Sequence, residues 1–279
     1  MNENASGWDR GAGTHQGVRQ APECGYPASN GERFPLEFRV FGAIEALDAG
    51  RAVELGSRKQ RAALGLLAAN VGQPVPIEVL VEEVWLGAPP HSVRSSLQSH
   101  VSRLRGVLGG RHVLQRHGAA YSLQVPAGSV DAWRFDEAEA AGRQLLKQGA
   151  DAAAMDALDH ALSLWTGQPY ADLQEYPYAQ REANRLEMLR LDVIENRAQA
   201  MVDLGWHVSA DIELQQAWNR YPTRERLAGQ LMRVLYRTGR QADALAVYHE
   251  TRARLADDLG IDTCPELKEI YLEVLRHSA

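Results

Sequence analysis

Arg94, Gln98, Arg103 and Arg105 are interleaved with Ser95, Ser99 and Ser102 and preceded by His91. A guanidinium can make two parallel hydrogen bonds to guanine or phosphate and a carboxamide can do the same with adenine, while serine hydroxyls reach phosphate oxygens. No Asp or Glu occurs between Glu83 and Asp131, a span that also holds Arg111 and Arg116. A solvated helix ordinarily sets Glu against Lys or Arg at i,i+4, which adds about 0.2–0.5 kcal/mol per pair. This stretch forgoes those pairs, so its donors are available to an external polyanion.

The element that must carry these side chains is HSVRSSLQSHVSRLRGVLGG, residues 91–110. At 100° per residue, Val93, Leu97, Val101, Leu104 and Leu108 fall within about 40° of one line and form a core stripe. Ser95, Ser99, Ser102 and Gly106 oppose it, with Arg94, Gln98 and Arg105 on one flank and Arg103 on the other. Gly109 and Gly110 end the helix. Upstream, LEFRVFGAIEAL, a DAG turn and AVEL read as a small antiparallel sheet. SRKQRAALGLLAAN reads as a first helix capped by Ser57, apolar at Ala62, Leu66 and Ala69 with Leu64 and Leu67 beside them. PIEVLVEEVW, opened by Pro76, is a second helix, and Leu86, Gly87, Ala88, Pro89 and Pro90 break it. Downstream, HVLQRHG and AAYSLQV form a hairpin turning near His117 and Gly118. Sheet, three helices and hairpin make a winged helix-turn-helix.

The 279-residue chain has a net charge of −6, unevenly spread. Basic and acidic residues number 3 and 4 up to Phe34, 10 and 7 from Pro35 to Val130, and 17 and 25 from Asp131 onward, giving −1, +3 and −8. The positive middle is the nucleic-acid segment and the acidic remainder repels phosphate. Residues 1–33 lack periodicity and read as a disordered tail. No run approaches a membrane span and the N-terminus lacks the apolar core of a signal peptide, which implies a cytoplasmic protein with no membrane partner. Cys24 and Cys264 offer neither a disulfide framework nor a CxxC site. His91, His100, His112 and His117 lack metal-ligand spacing, and the chain contains no GxSxG, P-loop or HExxH, so no metal, cofactor or catalytic residue is assigned.

From Asp131 the periodicity is helical, with segments at 133–148, 151–164, 177–204, 207–220, 223–237, 241–257 and 265–276. LGWHVSADIELQQAW from Leu204 and TGRQADALAVYHETR from Thr238 lie 34 residues apart and share a Gly before a similar helix, the tetratricopeptide period. The expected fold is mainly α: a winged helix-turn-helix (α+β) at 34–127, then an all-α tetratricopeptide-like domain at 131–277. A boundary there implies that residues 31–130 fold and bind nucleic acid alone. Trp133, Trp165, Trp206, Trp218, Tyr221, Tyr236 and Tyr248 read as interhelix packing, and YPTRERLAG and RARLADDLG as solvated faces.

Three groups of residues carry a family resemblance: RKQRAALGLLAANVGQPV; LVEEVWLGAPPHSVRSSLQSHVSRLRGVLG; and, in the helical part, ALSLWTGQPYADL with RLEMLRLDVIENRAQAMVDLGWH and YPTRERLAGQLMRVLYRTGRQADALAVYHETRARLADDLGID. Together they resemble the Streptomyces antibiotic regulatory protein family, an OmpR-type winged helix followed by a bacterial transcriptional activation domain. The resemblance implies a non-enzymatic activator of a secondary-metabolite gene cluster. It also implies two protomers on direct repeats of promoter double-stranded DNA, in contact with RNA polymerase including its sigma factor. The implied DNA-facing set is His91, Arg94, Ser95, Gln98, Ser99, Ser102, Arg103, Arg105, Arg116 and Tyr121, and Leu86 to Pro90 is the candidate polymerase contact. The wing reads Ala119-Ala120-Tyr121-Ser122 where the family's reads Pro-Gly-Tyr-Arg, leaving Arg116 as its cation. The alternative is a switch whose helical domain binds a peptide or small metabolite.

Overall fold

The computed structural model describes residues Leu36–Arg276; the tail at 1–33 and the ends of the expected domains at 34 and 277 lie outside it. β1 (Leu36–Arg39), β2 (Glu45–Asp48) and β3 (Arg51–Ala52) form an antiparallel sheet in that order. α1 (Arg58–Ala69), α2 (Ile77–Trp85) and α3 (Val93–Val107) follow, with β4 (Val75–Pro76) between the first two. β5 (Leu114–His117) and β6 (Ala120–Leu123) are the wing hairpin, and β4 joins it to give the order β4-β6-β5. Ser57 starts α1, its N–H donating to Gln60 Oε1 at 3.1 Å.

The α3 stripe is buried as its periodicity requires: Leu97, Val101, Leu104 and Leu108 are each at most 1% exposed. Replacing Leu97 or Leu104 by Ala is therefore expected to cost about 2–5 kcal/mol of folding stability. Urea unfolding checks this, and an unchanged midpoint would refute the assigned face.

The rest of the chain is helical: α4 (Asp131–Lys147), α5 (Asp151–Ser163), α6 (Pro177–Asp203), α7 (His207–Arg220), α8 (Glu225–Arg237), α9 (Gln241–Leu259) and α10 (Pro265–Leu275). Three of the links share one closure. Gly149, Gly205 and Gly239 sit at φ +69°, +81° and +79°. The residue after each donates its N–H five residues back, Ala150 to Leu145, Trp206 to Met201 and Arg240 to Leu235, at 2.7–3.0 Å. These are left-handed helix ends that turn the chain straight into the next helix. The pairs α4/α5, α6/α7 and α8/α9 thus repeat one unit, with α10 packed on α8 and α9 at the end.

The winged helix and the helical solenoid share a core rather than meeting at a thin seam. One continuous buried cluster runs from Leu36 through Leu64, Leu104 and Leu123 to Phe135, Tyr178 and Val193. α1 is buried at every position from Ala62 to Ala69, so it is a central helix. Tyr178 Oη on α6 donates to Ala62 O at 2.7 Å, and a Cβ on Gly65 would lie 2.7 Å from the Tyr178 hydroxyl. The Asp131 carboxylate accepts from the backbone N–H groups of Val40, Phe41 and Ala132. Asp172 accepts from Ile44 N–H and pairs with Arg61 at 2.7 Å. The implication that residues 31–130 stand alone is at odds with this packing.

YPTRERLAG is not merely a solvated face. Arg224 and Arg226 reach 2.9 and 3.1 Å to Glu195, whose side chain is fully buried on α6. Among the aromatics, Trp218 is buried and donates to Thr251 at 2.9 Å, and Tyr248 stacks on Tyr271, whereas Trp206 is 52% exposed.

Candidate nucleic-acid interface

α3 turns a polar face outward along its whole length. Arg94, Ser95, Gln98, Ser99, Ser102, Arg103 and Gly106 are exposed, as is His91 in the turn before it. Small side chains along the centre of that face let a backbone lie close to a partner, and the longer Arg94, Gln98 and Arg103 reach out from its margins. Arg94 touches Glu78 on α2 at 3.1 Å, but both side chains are well exposed. Such a pair is worth about 0–1 kcal/mol and yields readily to a phosphate or a base. Ser95 Oγ donates to Ser92 O at 2.8 Å.

Two members of the sequence-derived set belong elsewhere. Tyr121 is 2% exposed and cannot be reached from outside. Its strand position on β6 points the ring inward, under Arg105, whose guanidinium lies 5.7 Å from the ring centroid. Arg105 is half-buried and donates through Nε to Leu114 O on β5 at 2.8 Å. It is a strut that holds the wing against α3, so it positions the surface more than it presents a free charge. Arg116 stays exposed on the wing and donates to Gly118 O at 3.0 Å, which aims it along the hairpin tip.

The structure adds basic residues that the helix-face reading passed over. Lys59, at the start of α1, lies 4.9 Å above the Trp85 ring, and His100 approaches the same ring at 5.8 Å. Burial, then the charges of Arg103 and Lys59, hold the His100 pKa below its ordinary value. His100 is thus neutral near pH 7, and the positive charge there comes from Lys59 and Arg103. The RKQR run was the available signal for Lys59. Arg111 is exposed in the turn between α3 and β5.

The turn between α2 and α3 is exposed from Leu86 to Pro90. Leu86 adopts left-handed angles, φ 54° and ψ 42°, and ends α2. Beside it lies a cleft of about 360 Å³ lined by Ile77, Val81, Pro89 and Val93 and edged by Glu78 and Glu82.

Residues 130–275, more than half of the chain, match the model of the bacterial transcriptional activator domain. The chain belongs to this family. The regulatory protein AfsR of Streptomyces coelicolor is 36% identical over 252 residues, 90% of this chain and 25% of AfsR. The chain thus spans about a quarter of AfsR's length. The regulatory protein DnrI of Streptomyces peucetius is 30% identical over 251 residues, covering 86% of this chain and 92% of DnrI. In three dimensions the chain resembles Mycobacterium tuberculosis EmbR, solved in complex with a low affinity phosphopeptide, with a TM-score of 0.85 and 32% identity over 88% of this chain and 66% of EmbR. These relatives agree with the resemblance to the Streptomyces antibiotic regulatory family, and they are named as regulators of transcription or regulatory proteins. No helix among the described residues of this family member is long and apolar enough to cross a membrane.

Proposed function

We propose that the chain is a sequence-specific, non-enzymatic transcriptional activator of a secondary-metabolite gene cluster, acting in the cytoplasm. It binds direct repeats at promoters as two protomers and recruits RNA polymerase, sigma factor included. The observation that carries the reading is the outward face of α3: four serine- or glycine-sized positions between Arg94, Gln98 and Arg103, without an acid on the helix. In this arrangement α3 enters the major groove, Arg94 and Gln98 read base edges, and Arg103, Lys59 and Arg116 meet phosphates on either side. The test is footprinting on DNA flanking the chain's own gene. Arg94→Ala and Gln98→Ala should each cost about 1–3 kcal/mol on the protected site and far less on random DNA. Equal losses on both DNAs would reassign these residues to phosphates.

The polymerase contact is placed at Leu86–Pro90. This turn carries no charge, so it adds little to phosphate binding, and its two prolines lower the ordering cost of docking. Asp tolerates the left-handed angles of Leu86 better than Leu does. The double change Leu86→Asp and Ala88→Asp should therefore leave the footprint intact while reducing transcription from a reconstituted promoter. Normal transcription with a normal footprint would move the contact to the helical part, and joint loss of both would make the turn structural.

A further inference from the structure

A cleft of about 770 Å³ opens between α5, α6 and α7. Its size is that of a small-molecule site, and its walls mix aromatic, aliphatic and charged groups. The charges are sorted into two poles. At one pole Arg190 and Arg220 share a single carboxylate, Glu187, at 3.7 and 3.3 Å. Tyr221 Oη also donates to that carboxylate at 2.8 Å. The Arg190 guanidinium lies 4.8 Å from the Trp165 ring, and its Nε–H is buried without an acceptor among the described residues. At the other pole the proportions reverse: Arg197 alone faces two carboxylates, Asp159 at 2.5 Å and Glu213. Burial pushes the Glu213 carboxyl up, and Asp159 adds to that push.

The spacing of the poles follows from the helices. Arg190 and Arg197 are seven residues apart on α6, as are Glu213 and Arg220 on α7, which places the poles about 10 Å apart along antiparallel axes. Ile194 and Ala217 line the cleft between them. We propose that this cleft binds a zwitterionic molecule with an apolar body, its carboxylate held at Arg190 and Arg220 and its ammonium at Asp159 and Glu213. A short peptide with free termini has that chemistry and, at three residues, that length. The site is also close to the winged helix: Trp165 packs 4.6 Å from Phe41, in the connection between β1 and β2. This proposal goes beyond the DNA-binding reading and does not depend on it.

The test is isothermal titration of the full chain with the tripeptide Ala-Leu-Phe, its N-acetylated form and its C-terminal amide, in the absence of DNA. The free peptide should bind and each capped form should bind about tenfold more weakly or less, since each loses a charge-assisted hydrogen bond. Arg220→Gln and Asp159→Asn alter side chains that are 64% and 49% exposed, so both variants should keep the parental melting temperature. Arg220→Gln should reduce the discrimination against the amide and keep that against the acetylated peptide; Asp159→Asn should do the converse. Absence of binding by the free peptide overturns the proposal. So does an acetylated peptide that binds as tightly as the free one, which would make the cleft a plain carboxylate site, or an amide that does so. Binding unmoved by both substitutions overturns it as well.

Discussion

Replacing Asp131 by Ala should lower stability by about 2–5 kcal/mol, a large share of what holds a domain of this kind folded. Its two carboxylate oxygens accept Val40 N–H at 2.9 and 3.0 Å, Phe41 N–H at 3.2 Å and Ala132 N–H at 2.7 Å. All of these groups are buried, and without the carboxylate the N–H groups of Val40 and Phe41 lose the acceptor seen here, each at the cost of about 1–3 kcal/mol. Asparagine is a poor substitute, because its amide N–H₂ would face backbone donors. The pH dependence has a definite sign. Burial raises the carboxyl to about 6, against the opposing pull of the three N–H groups. An acid whose folded pKa lies above its unfolded value contributes stability that is complete below the unfolded pKa and is lost as pH rises through the folded one. The deficit of Asp131→Ala relative to the parent should thus be larger at pH 5 than at pH 7.5. Paired urea titrations check it, and a deficit that grows with pH would reverse the assignment.

The second large effect concerns truncation. A fragment of residues 36–130 should fail to melt cooperatively, or should melt roughly 10 °C or more below the full chain, because removing α6 uncovers α1. In the intact chain Tyr178, Tyr170 and Leu173 lie in the same buried cluster as Leu64 and Leu67. Without them, the face of α1 that carries Ala62 and Gly65, now covered by Tyr178 and Leu173, would stand in water. DNA affinity of the fragment should fall with its folded fraction. Extending it to Asp203, the end of α6, should restore both folding and binding. A fragment ending at 130 that unfolds sharply and binds as tightly as the parent would show that the shared core is dispensable. Circular dichroism melts and gel-shift titrations at one salt concentration make the comparison.

What the sequence revealed follows the range of the interactions concerned. The α3 stripe was legible because its five apolar positions answer to one local period, and the helical segments from Asp131 were placed within a few residues for the same reason. The all-round burial of α1 is not legible because its covering partner, Tyr178, lies more than a hundred residues downstream, and nothing local separates a helix buried on one side from one buried all round. Tyr121 and Arg105 were placed on the outer surface because each has the right chemistry. Only the hairpin's closure on α3 turns one beneath the other. Gly149 escaped the repeat because α6 is 27 residues long, which stretches the distance to Gly205 beyond the 34-residue period that links Gly205 to Gly239. Glu195 gave no signal, since a carboxylate inside an ion network has the same letter as one in solvent.

The continuous core between the winged helix and the solenoid also bears on how the proposed pair of protomers would measure DNA. A protein with a hinge between these parts could tolerate repeats at several spacings by swivelling. Here Asp131, Asp172 and Tyr178 fasten one to the other, so the orientation of each solenoid is set by where its α3 sits on the duplex. B-form DNA turns about 34–36° per base pair, given a repeat of 10–10.5 base pairs. One inserted base pair would therefore swing one solenoid by that angle relative to the other, and half a helical turn would put them on opposite sides of the duplex. The absence of a joint makes helical phase, rather than distance alone, the quantity such a regulator would read in its promoters.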